Sequence, residues 1–209
     1  MSTPVSEENT PRIAPPMEIS PVPTVGSEAP VHVNLELPTD RPTIIVFLRH
    51  CGCPFAEKTF KNLTALSVQH AGEAHFVAVS HSTPEATERW VVRAGGNWEV
   101  NVVVDHEREL YARWGLGTST TWHVMNPLTL YRTLRLVTDD NIWGDGATAE
   151  NGSRWQTAGA FAVDPAGIVR WARVAASADD IPDLDSALAA VGVQAKPRPP
   201  PEVRTAGFL

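Results

Sequence analysis

Cysteine is scarce in this chain. There are two among 209 residues, Cys51 and Cys53, with one glycine between them. So close a pair is not the framework of a small secreted disulfide scaffold, and a reducing, cytoplasmic setting is the expectation. Long apolar runs are missing as well. None approaches the roughly 20 residues that cross a bilayer, so no membrane partner is expected. The first residues carry no basic stretch followed by an apolar one, so no secretory leader is expected. Without secretion, the acceptor pattern Asn151-Gly152-Ser153 carries no weight. Positive charge is in deficit: 17 Lys and Arg stand against 24 Asp and Glu, net -7, with no basic stripe, which weighs against nucleic acid. There is no internal repeat. The length suits one domain with tails.

What is present is ordered around one stretch. Ile44 to Leu48 is an apolar run that reads as a strand buried on both faces. From Ala56 to about Gln69, Phe60, Leu63 and Leu66 recur at helical spacing. The cysteines lie in the turn between. Pro54 suits the first helical position, where its missing N–H costs nothing, and this makes Cys53 the N-cap. A sulfur there is expected to face unpaired backbone N–H groups and the positive end of the helix dipole. Such placement lowers a thiol pKa from about 8.5 into the range of roughly 3.5–7.5. Arg49 adds a positive charge if it points the same way. Cys53 is therefore the expected reactive thiolate.

Around this stretch the chain divides as follows. Residues 1–28, rich in Pro, Ser, Thr and Glu, read as a disordered tail, and 194–209 as a second one. Val31 to Leu37 alternates and reads as an edge strand. Phe76 to Ser80 is a second strand, followed by Thr83-Pro84 as cap and first turn of a helix that stops at Gly95-Gly96. Val100 to Asp105 is a third strand, and Asp105 is placed to cap a short helix from His106 to Trp114. This alternation implies a parallel sheet with helices on its faces. The stretch from about 118 to 156, with Trp122, Trp143 and Trp155, breaks the rhythm and reads either as a lid over a binding site or as a surface elaboration. Ala160–Asp164 and Ile168–Ala172 form a hairpin through a Pro-Ala-Gly turn. A helix from about Pro182 to Val191 closes the domain, 29–193.

Parallel units followed by a hairpin and a closing helix give a thioredoxin-like α/β fold: a central mixed sheet, flanking helices and a Trp-rich insertion before the hairpin. The residues also resemble a family. Phe47-Leu48-Arg49-His50 before Gly52-Cys53-Pro54-Phe55, Val104-Asp105 with Glu109-Leu110-Tyr111 and Gly115-Leu116-Gly117, and Gly159 to Pro165 with Gly167 are similar to AhpC/TSA-type peroxiredoxin-like proteins of the peroxiredoxin-like 2 kind. The resemblance runs from about Arg41 to Val191. It implies thiol-based redox chemistry and an oxidoreductase. The departures are specific. Many relatives carry Cys-Pro-Phe-Cys, and the second cysteine's place is Ala56 here. The Pro and Thr that precede the reactive cysteine of peroxiredoxins are Val46 and His50. The arginine before their hairpin strand, or the cis-proline of thioredoxins, falls near Ala158.

Functional groups in such sheets gather at the carboxyl ends of the strands. That places Arg49, His50, Cys51 and Cys53 at one end and His81 at the next, with His81 a base for a thiol or an ordinary strand-end histidine. Trp122, Trp143, Trp155 and Thr157 are the expected substrate-binding residues. Three readings of the cysteines stay open: Cys53 attacks a peroxide or disulfide and Cys51 resolves it, Cys53 acts alone on a small organic molecule under the insertion, or His50, Cys51 and Cys53 hold a soft metal. A fourth is an inert scaffold used for binding. The first is preferred, with a small-molecule substrate, a thiol reductant, no cofactor, no metal, and a homodimer allowed.

Overall fold

The computed structural model describes residues 17–37, 39–118, 142, 148, 150–194 and 196. Trp122 and Trp143, and with them most of the expected insertion, lie outside the described residues.

Five strands form one sheet in the order β3-β2-β1-β4-β5: β1 (Thr43–Phe47), β2 (His75–Ser80), β3 (Val100–Val104), β4 (Gly159–Val163) and β5 (Val169–Val174). The first three run parallel, with Ile44 opposite Phe76 and Val77 opposite Asn101. β4 is antiparallel to β1, and β5 to β4. The sheet is thus mixed, as expected. Every residue of β1 is buried, because helices cover both faces of a central parallel strand. On one face Ile44, Val46 and Leu48 meet Phe60, Leu63 and Leu66 of α1 (Pro54–Gln69), Trp90 of α2 (Pro84–Arg93), and Ala187 and Leu188 of α4 (Leu184–Ala190). On the other, Ile45, Phe47, Val77 and Phe161 pack on Leu110 and Tyr111 of α3 (Glu109–Arg113) and on Trp114.

The local signals act as their chemistry requires. Thr83 caps α2, its hydroxyl accepting from Ala86 N. The hairpin turn is held by Asp164, whose carboxylate accepts from Ala166 and Ile168, with Gly167 at φ 81°. α3 starts three residues later than expected, at Glu109, with Arg108 left-handed before it. Asp105 still serves its N-terminus, accepting from Tyr111 N at 3.0 Å.

Three expectations are corrected. Residues 17–28 are not a loose tail from end to end. Ser20 N donates to Ala112 O, Gly26 N to Val169 O, and Val22 lies so close to Gly115 that a Cβ there would come within 2.6 Å of its backbone. Proline-rich composition lowered the apparent core content, yet an extended strap needs only backbone partners and a glycine to lie on. Val31–Leu37 is no strand. Leu35 N closes a turn on His32 O, burying Leu35 and leaving Val33 exposed. At the other end, Lys196 is tied to the end of α1, donating to Gln69 O at 2.8 Å.

Candidate active site

The site grows from the exit of β1. Leu48 N makes a last bond to Val79 O at 2.9 Å, and a tight turn follows, closed by Cys53 N on His50 O at 3.1 Å. Cys53 then occupies the N-cap of α1 with extended backbone, Pro54 takes the first position, and Glu57 N returns to Cys53 O. The backbone reading of the turn therefore holds.

The reading of the sulfur does not. Cys53 makes no side-chain cap hydrogen bond. A thiol is a weak acceptor, and here it has a better donor: Arg49 Nη1 points at Sγ from 3.6 Å. Arg49 is itself buried, 7 % exposed, and its Nε donates to Arg154 O at 2.9 Å. Among the described residues no carboxylate pairs with it. The positive charge beside the sulfur thus comes from a side chain, not from the open amides of the helix. Cys53 is 3 % exposed, within the cluster that includes Leu48, Phe55 and Ala56. Leu48, Arg49, Phe55, Ala56, Ala158 and Pro182 are among the residues lining a cavity of about 30 Å³, room for a water-sized molecule; its neighbour Cys53 is not one of the lining residues.

Cys51 lies deeper, 1 % exposed, and has different company. Its Sγ lies 3.4 Å from Ser80 Oγ and 3.9 Å from Thr87 Oγ1, and those hydroxyls lie 2.9 Å apart. Its N–H is shared between Asn151 O and Ser82 Oγ. Both cysteines are free thiols.

The two histidines do not touch the sulfurs through hydrogen bonds. His50 Nδ1 accepts from Gly52 N at 3.1 Å, which braces the turn. Burial first, then the charges of Arg49, His81 and Arg154, pull its imidazole down to about 3. His81 Nε2 accepts from Ser153 N at 3.0 Å, its ring stands edge-on to Tyr111, and its Nδ1 is buried without a partner among the described residues. Burial and then Arg108 bring it down to about 4. Of the two readings of His81, base for a thiol or ordinary strand-end histidine, the contacts favour the second: its acceptor nitrogen is taken by Ser153 N. In the metal reading of His50, Cys51 and Cys53 the side chains would converge, but each turns to a different partner, and among the described residues no group of three ligands is placed to hold a metal ion.

Of the other expected residues, Trp155 is 36 % exposed beside this segment, and Thr157 N donates to Gly117 O. The structure adds Ser80, Ser82, Thr87, Asn151, Arg154 and Tyr111. Ser80 stood beside His81 at a strand end, a signal the sequence did offer. Asn151 and Arg154 contribute backbone carbonyls, which no side-chain pattern reveals.

A model of the family described as AhpC/TSA antioxidant enzyme matches residues 61–177, more than half of the chain and beginning just past the cysteine turn. Among solved structures, a peroxiredoxin-like protein from Aquifex aeolicus is 17 % identical with TM-score 0.55, over 83 % of this chain and 89 % of that one. A thiol peroxidase from Chromobacterium violaceum is 16 % identical with TM-score 0.54, over 81 % and 86 %. Peroxidoxin BcpB from Mycobacterium tuberculosis is 14 % identical with TM-score 0.54, over 81 % and 97 %. At these identities the structures speak for the fold. No curated protein matches.

Proposed function

This chain belongs to the AhpC/TSA antioxidant enzyme family, and on that premise we propose that it is a thiol peroxidase whose reacting atom is Cys53 Sγ. Thiol-based redox chemistry comes with the family. The assignment to Cys53 rests on one observation: a buried guanidinium with no carboxylate partner among the described residues donates to that sulfur. A buried guanidinium stabilises negative charge on the atom it donates to, and here that atom is the sulfur.

In the reaction, the Cys53 thiolate attacks the outer oxygen of a peroxide. An S–O bond forms, the O–O bond breaks, and the inner oxygen leaves as an alcohol or water after taking a proton. The sulfur is oxidised by two electrons to a sulfenic acid and the peroxide is reduced. A second thiol then displaces water from that sulfur to give a disulfide, which a thiol reductant returns to two thiols. Arg49 serves twice, holding the anionic sulfur and offering N–H donors where charge develops on the peroxide. Arg49 also lines the small cavity walled by Leu48, Phe55, Ala56 and Pro182, so one side chain borders both that space and the sulfur. Both thiols are almost wholly covered, so a peroxide reaches them only when part of the chain around the cysteine turn moves.

Cys51 is the resolving thiol of this reading. A Cys51–Cys53 disulfide closes a small ring and is readily reduced, which fits a cycling bond. To form it, Cys51 must leave Ser80 and Thr87.

Mass spectrometry after hydrogen peroxide, with and without a thiol reductant, tests the assignment. Wild type is expected to lose two hydrogens and regain them with reductant. Cys51→Ser should stop at a gain of one oxygen that dimedone captures, and Cys53→Ser should do neither. Oxidation of Cys53→Ser at the wild-type rate overturns the proposal. Normal turnover of Cys51→Ser removes Cys51 from the resolving role.

A further inference from the structure

Tyr111 is fully buried and joins the chain leaving β1 to the last part of β2, next to the reactive turn. Its hydroxyl lies 2.6 Å from Leu48 O and 2.8 Å from Val79 O. A phenol has one proton, so the two carbonyls share a single donor. Val79 O already receives Leu48 N, and the hydroxyl adds its own bond to Leu48 O, the carbonyl immediately before Arg49. The ring is wedged edge-on against Phe47 at 5.1 Å and His81 at 5.4 Å. Its own backbone N–H is fixed by the Asp105 carboxylate. Burial first, and then the neighbouring Asp105, hold the phenol proton on.

We propose that Tyr111 is a positioning residue for the thiol chemistry: its hydroxyl pins the peptide from which Arg49 departs, and so sets where the guanidinium meets Cys53 Sγ. The Arg49–sulfur contact, at 3.6 Å, suits the larger radius of sulfur, and a shift of the peptide at Leu48 would carry the guanidinium away from it. A group acting on a reacting atom must be held within about 0.5 Å of its working place by the packing around it. Tyr111 touches neither sulfur through a hydrogen bond, so its effect on Cys53 is indirect, by way of the Leu48–Arg49 peptide.

This inference rests on the peroxidase reading for its biological meaning but not for its test. Two rate constants are measured for Cys53, alkylation by iodoacetamide and oxidation by hydrogen peroxide, in wild type, Tyr111→Phe, Arg49→Leu and the double variant, with circular dichroism to confirm folding. Tyr111→Phe is expected to slow both reactions about tenfold, as a displaced catalytic group does. In the Arg49→Leu background the same change should alter them less than about twofold, because groups acting through one another are not additive. A Tyr111→Phe rate equal to wild type, or an equal loss in both backgrounds, overturns the proposal. Should Tyr111→Phe fail to fold, Tyr111→His, whose ring nitrogen stops short of Leu48 O, takes its place with the same expectations. Alkylation that obeys the cycle without any oxidation by peroxide would sink the peroxidase reading and leave the role of Tyr111 standing.

Discussion

At the scale of single residues, Arg49 and the two imidazoles carry the measurable consequences. A hydrogen bond to a charged group is worth roughly 1.5–3 kcal/mol. Arg49→Leu is therefore expected to slow peroxide oxidation of Cys53 about 10- to 100-fold, checked by stopped-flow tryptophan fluorescence; an unchanged rate would mean that the guanidinium only fills space. His50 and His81 stay neutral in the fold, at about 3 and about 4, yet take a proton near 6.5 once unfolded. Between pH 6.5 and those lower values the unfolded chain binds more protons. The stability these groups contribute is thus whole above pH 6.5 and is lost as pH falls, by up to about 1.4 kcal/mol per pH unit for each imidazole. Urea unfolding should show a lower midpoint at pH 5 than at pH 7, with a smaller difference in His50→Gln. Equal midpoints in wild type would mean that the imidazoles are not held neutral.

At the scale of elements, the segment 150–154 acts as a clasp on the cysteine turn. Glu150 O takes Thr83 N, Asn151 O takes Cys51 N and the Ser82 hydroxyl, Ser153 N gives to His81, and Arg154 O takes Arg49 Nε. Gly152 makes the fit possible: its φ is 92°, and a Cβ there would stand 2.6 Å from His81 Nε2. Gly152→Ala should detach the clasp and speed alkylation of Cys51 and Cys53 by iodoacetamide, read by mass spectrometry. Unchanged labelling would show that these contacts do not limit access. The broken rhythm of this part of the chain was legible in the sequence, which left it open between a lid and a surface elaboration. The contacts of 150–154 were not legible, because backbone groups there meet side chains about 70 to 105 positions away.

At the scale of the molecule, the strap before Pro30 belongs to the fold. Gly26 and Ala29 donate to Val169 O and Gly167 O, and Ser27 O accepts from Val169 N, so the strap lengthens the sheet beside the start of β5. A chain beginning at Pro30 should melt several degrees lower by circular dichroism, since a loss of about 1 kcal/mol shifts Tm by roughly 2–4 °C in a domain of this size; an equal Tm would show that the strap adds nothing. The sequence by itself determined the order of strands and helices, the turn that sets Cys53 at the head of α1, and the hairpin that closes the sheet, because period, caps and turn residues act within a few positions of one another. Only the tertiary structure decided which groups stand around the sulfurs. Arg49 is near in the chain, but its direction depends on Arg154, and Cys51 is steadied by Ser80, Thr87 and Asn151. Those partners meet only when the sheet is assembled, for a buried polar group is satisfied by whatever the fold brings beside it rather than by its neighbours in sequence.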